Sequence, residues 1–101
     1  MKLKIEQDEL YFEYRGCSYK LSSHPYDPCL YIMKDEQIFR AIRMAFEVSE
    51  LIEAFSVGGT VHSVVKDAKE HDEESFCRVL AAVIDSNRFE CDFPFAESIV
   101  K

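Results

Sequence analysis

The densest grouping of reactive residue types lies in SSHPYDPC, from Ser22 to Cys29. A cysteine nucleophile needs a base within hydrogen-bond reach and usually a third group to orient that base. His24 and Cys29 share one proline-rich loop and supply the first two, so the chemistry on offer is that of a small thiol-dependent enzyme or redox sensor. Turn-forming residues account for the same loop without chemistry, and no local nucleophile signature surrounds Cys29. Of the other histidines, His62 falls in the β-branched run TVHSVV, where a packed ring is the ordinary outcome, and His71 in an acidic connection. Gly58-Gly59-Thr60 follows an expected helix instead of opening one, which suits a C-terminal cap better than a phosphate cradle.

The cysteines Cys17, Cys29, Cys77 and Cys91 are spaced 12, 48 and 14 positions apart, with no C-x-x-C pair. A structural zinc site would have to gather its ligands from four separate elements. We therefore expect free thiols, no metal and no cofactor. The N-terminus MKLKIEQDEL turns acidic where an export signal would be apolar, which fits a cytoplasmic chain.

Charge carries a second kind of chemistry. Of 19 acidic and 12 basic residues, the first 46 positions hold equal numbers of each. The rest holds Glu47, Glu50, Glu53, Asp67, Glu70, Asp72, Glu73, Glu74, Asp85, Glu90, Asp92 and Glu97 against Lys66, Lys69, Arg78, Arg88 and Lys101, which accounts for the whole net charge of -7. Such a half does not bind nucleic acid directly, because phosphates are met by Lys and Arg. The run Asp67, Glu70, Asp72, Glu73, Glu74 exceeds what helix capping requires. A solvated face is the plain explanation, and docking on a basic protein partner is the sharper one, with Glu90 and Asp92 joining the edge. Phe93 and Phe95 would serve as aromatic anchors or close the core.

These residues need a scaffold. The chain has 101 residues, 48% hydrophobic and 13% aromatic, which suits one domain over 1–101 with a core of its own. The strongest element is DEESFCRVLAAVIDS, in which Phe76, Val79, Leu80, Val83 and Ile84 recur at helical spacing. Asp72 is the expected N-cap, Glu73 and Glu74 suit the first turn, and Asn87 with Arg88 suits the exit. Before it, Lys2 to Leu21 alternates as a three-stranded meander with breaks at Gln7-Asp8-Glu9 and Arg15-Gly16. Strands are expected at Leu30 to Met33, Ile38 to Phe46 and Thr60 to Val65. The Ile38 to Phe46 stretch is open to a helical reading, but one straight helix would turn its two apolar sets about 110° apart. A helix from Glu50 to Ser56, capped by Ser49 and closed by Gly58, and a last one starting at Pro94 complete the set.

The expected fold is α+β, a mainly antiparallel sheet with two or three helices on one face. The expected function is that of a non-enzymatic acidic interaction protein. Within that class we expect an inhibitor that mimics DNA on the basic surface of a partner such as a nuclease or CRISPR-type effector, with no membrane involved. A thiol enzyme using Cys29 with His24 and a structural subunit of a larger assembly are the alternatives.

Overall fold

Apolar residues at every second position, as in Leu10 and Phe12 or Leu30 and Ile32, can share one side only in a strand. The computed structural model describes residues 3–44, 46–61 and 72–93. Its alternating runs form β1 (Leu3–Glu6), β2 (Glu9–Tyr14), β3 (Cys17–Ser23), β4 (Cys29–Lys34) and β5 (Gln37–Arg43). Each pairs antiparallel with the one before it. The register sets Leu3 opposite Phe12, Leu10 opposite Leu21, Leu21 opposite Ile32 and Leu30 opposite Ile42, so the buried side chains line one face. Helices α1 (Val48–Ser56) and α2 (Glu73–Asp85) pack against the sheet, α1 over β2 and β3 and α2 over β5. A short β6 (Glu90–Asp92) then joins β5 in parallel. The fold is thus α+β, a six-stranded and mostly antiparallel sheet whose first five strands form a meander.

Two of the hairpins turn on two residues at positive φ, the type I′ pattern that matches strand twist. Arg15 (φ 51°) and Gly16 (φ 76°) join β2 to β3, and Gly16 fits because it has no Cβ. Between β4 and β5 the same positions hold Asp35 (φ 53°) and Glu36 (φ 66°), where left-handed backbone costs a side chain about 1 kcal/mol. Replacing Asp35-Glu36 by Asn-Gly is expected to raise unfolding stability by about 1 kcal/mol, read as a higher urea midpoint at unchanged m.

The main helix matches its sequence pattern. Phe76, Val79, Leu80, Val83 and Ile84 are all buried, and the Asp72 side chain accepts from the Ser75 N–H at 2.8 Å. That amide holds the Asp72 carboxyl below its ordinary value. Helix α1 ends as expected: Gly58 at φ 75° donates to the Phe55 carbonyl and Gly59 to that of Ala54, the paired bonds of a Schellman cap.

Several boundaries differ from the sequence expectation, and the strand expected from Ile38 to Phe46 is β5, which starts at Gln37 and ends at Arg43. Helix α1 starts at Val48 and not after Ser49, because the Val48 N–H is capped from outside the helix by Ser23 Oγ of β3 at 2.7 Å. Its N-cap residue Glu47 makes no side-chain cap. Thr60 and Val61 belong to no strand, and Val61 is packed at 0% exposure in the core. The free side of β5 is taken by β6 instead. The remainder of the expected Thr60 to Val65 strand and the helix expected from Pro94 lie outside the described residues. At the end of α2 the cap is Ser86, not Asn87 with Arg88.

Candidate functional site: an acidic helical layer

The folded chain turns the lopsided sequence charge into a difference between layers. Every Lys and Arg among residues 3–44 lies in the meander, interleaved with acids. There the ion pairs form: Lys4 with Glu6 at 3.0 Å, Lys20 with Glu9 at 3.0 Å, and Arg43 with Glu90 and Asp92 at 3.1 and 3.8 Å. The helices and their N-caps carry Glu47, Glu50, Glu53, Asp72, Glu73, Glu74 and Asp85 against Arg78 alone. Asp85 is tied back to the β2–β3 turn by Arg15 at 3.5 Å and the Tyr14 hydroxyl at 2.5 Å. That short bond to a carboxylate raises the Tyr14 pKa. Glu47, Glu50, Glu53, Glu73 and Glu74 make no ion pair with a described residue.

The α1 acids are the part that sequence reasoning did not single out. Glu50 and Glu53 are three positions apart on one side of the helix, Glu47 is its extended N-cap residue, and all three are exposed while Val48, Leu51 and Phe55 are buried. That spacing was available in the sequence as a signal. Like charges three apart cost an isolated helix about 0.2 to 0.5 kcal/mol per pair, and Glu53 sits toward the negative end of the helix dipole. The last turn holds no base to offset it. Phe55 of α1 meets Phe76 of α2 with ring centroids 5.8 Å apart, so the last turn of α1 lies beside the acidic first turn of α2.

The expected docking residues separate. Asp72, Glu73 and Glu74 stay together at the start of α2, with Asp72 and Glu74 exposed and Glu73 half-exposed. Glu90 and Asp92 flank the buried Cys91 of β6, so they face away from the helices and clasp Arg43. The sheet stands between the two sets, and they form no single edge. Phe93 is no surface anchor: it is 5% exposed, edge-on to Phe46 at 5.8 Å and tilted against Phe76 at 5.9 Å. Burial against two other rings makes it core. Asp67, Glu70 and Phe95 lie outside the described residues.

The His24 and Cys29 loop has a different geometry from a nucleophile pair. His24 Nδ1 accepts from the backbone N–H groups of Tyr26 at 3.0 Å and Asp27 at 2.8 Å. The Cys29 thiol approaches the Leu30 carbonyl at 3.9 Å, and burial followed by the Glu90 charge pushes its pKa up. A reactive thiol needs the opposite shift. Burial also pushes Cys77 to about 11, and all four cysteines are free. Among the described residues no three His, Cys, Asp or Glu side chains converge as metal ligands would.

No family model, curated protein or solved structure matches the chain.

Proposed function

We propose that this protein is a non-enzymatic interaction module whose acidic helical layer docks on the basic surface of a partner protein that handles nucleic acid, in the manner of a DNA mimic. The observation that carries this is the pair of acidic sets, Glu47, Glu50 and Glu53 on α1 and Asp72, Glu73 and Glu74 at the start of α2, exposed or half-exposed and without an ion pair among the described residues. Solubility explains net charge, but it does not require acids to outnumber bases seven to one in the helical layer while bases stay interleaved with acids in the sheet. Of the α1 acids only Glu53 sits toward the unfavourable end of the helix dipole, while Glu50 in the first turn suits it.

Charge attraction of this kind acts on association rate. Binding to a partner captured from cell extract is expected to slow steeply between low salt and physiological salt, as the screening length falls from about 30 Å to about 8 Å. Reversing Glu50, Glu53 and Glu74 to Lys is expected to slow association tenfold or more and, since Glu50 and Glu74 each favour a helix N-terminus by about 0.3 to 1 kcal/mol, to lower the melting temperature modestly without unfolding the domain. DNA or RNA should compete for the same partner surface. Binding that ignores salt, survives the triple reversal and coexists with bound nucleic acid would remove the mimicry and leave these carboxylates as solubilising charge.

A further inference from the structure

The His24 ring holds a loop together. Nδ1 accepts two backbone N–H bonds, from Tyr26 and Asp27. A nitrogen in that role carries a lone pair, so the neutral ring keeps its one proton on Nε2. A second proton can enter only at Nδ1, where two N–H groups already point at it. Donor would then face donor, and both bonds must break. Asp27 Oδ2 is 3.8 Å from the same nitrogen and gives the new N–H an acceptor.

We propose that residues 24–27 form a proton-operated switch that sets how Tyr26 is presented. In the neutral state the imidazole accepts from the turn and fixes Tyr26, which is 90% exposed and meets the His24 ring edge-on with centroids 6.1 Å apart. In the protonated state the imidazolium donates to Asp27 and the amides of Tyr26 and Asp27 open to water. The movement stays local because the loop is pinned at its ends. The His24 N–H donates to the Cys29 carbonyl at 3.0 Å, and Met44 at the end of β5 donates to that of Pro28 at 3.0 Å.

The loop shares a cleft of about 350 Å³ with Cys29 of β4 and with Phe46, Glu47 and Glu50 at the start of α1, and among the described residues no Lys or Arg lines it. Tyr31 of β4 stands edge-on to the His24 ring at 5.2 Å, and its hydroxyl titrates above its ordinary alkaline value, chiefly through burial, and so stays neutral. Cys29 is likewise held neutral. Among the described residues Asp27, Glu47 and Glu50 are the charged side chains that line the cleft with His24, and Arg43 and Glu90 lie close enough for their charges to reach Cys29. The switch rests on loop geometry alone and stands whether or not the helical layer docks a partner.

The test is residue-resolved NMR on the full chain as the pH is lowered from about 8 to about 5. The Tyr26 and Asp27 amide protons are expected to move upfield together, with the same midpoint as the His24 ring. His24→Asn should abolish that movement while keeping the turn, because a carboxamide oxygen can accept the same N–H groups without titrating. Asp27→Asn should retain the movement, which separates the imidazole from the Asp27 carboxylate as its source. Amides that hold their positions while the His24 ring titrates, or that move equally in His24→Asn, would overturn the switch.

Discussion

Replacing Phe76 by alanine is expected to destabilise the protein by about 3 to 5 kcal/mol, seen as a fall in urea midpoint at unchanged m. Phe76 has 0% exposure. Its ring meets Phe55 of α1 at 5.8 Å and Phe93 after β6 at 5.9 Å, and Phe93 in turn meets Phe46. The four rings join both helices to the β6 edge of the sheet. Deleting the middle ring leaves a hole walled by separate elements that cannot all close on it, so the cavity adds to the lost transfer energy. Phe89→Ala is the matched control, since Phe89 is half-exposed and should cost under about 1 kcal/mol. Equal losses from the two substitutions would mean that the ring cluster is not the hub of the fold. The same cluster holds the acidic turn Asp72 to Glu74 beside α1, so Phe76→Ala is also expected to loosen the proposed docking surface.

What the sequence made legible follows from how local each cause is. Helix α2 could be read because period, N-cap and first-turn acids all reside within Asp72–Asp85. The meander could be read because alternation and turn residues are local too. Helix α1 was misplaced at its start because its cap is Ser23, a side chain from β3 that approaches only after the sheet has formed. Strand β6 left almost no trace, since two of its three residues are charged and the third is a cysteine. It forms by pairing with Ala41, Ile42 and Arg43, far away in the chain. The acidic layer was half legible. The start of α2 stood out as a run of adjacent acids, whereas the α1 stripe was hidden by its spacing of three. Phe93 could not be assigned to core or surface until Phe46 and Phe76 were seen against it.

Arg40 is the residue whose role the sequence concealed most, and its removal is the second large effect expected. Strict alternation sets Arg40 on the same face as Ile32 and Ile42, where an arginine has no obvious place. A register shift between Ile32 and Met33 lets the strand bend there. The Arg40 guanidinium lies 4.1 Å over the Phe39 ring, donates through Nε to the Val83 carbonyl at 3.2 Å, and reaches the Ser86 carbonyl with a second nitrogen at 2.5 Å. These carbonyls end α2, whose last turn contains no base of its own. A cation from β5 therefore does what a terminal Lys or Arg usually does, meeting the negative end of the dipole and adding a donor to the Val83 carbonyl, which also accepts the Ser86 N–H at 3.2 Å. Charge-assisted bonds of this kind, half-buried, put the cost of Arg40→Ala at about 2 to 4 kcal/mol. Arg40→Lys is expected to recover less than half of that, because an ammonium lacks the planar fork that reaches two carbonyls while stacking on a ring. Hydrogen exchange should locate the damage, with amides in the last turn of α2 losing protection while those of β2 and β3 keep theirs. Uniform loss across the molecule, or full rescue by lysine, would show that Arg40 acts through packing alone and that the last turn of α2 is held by something other than this strand.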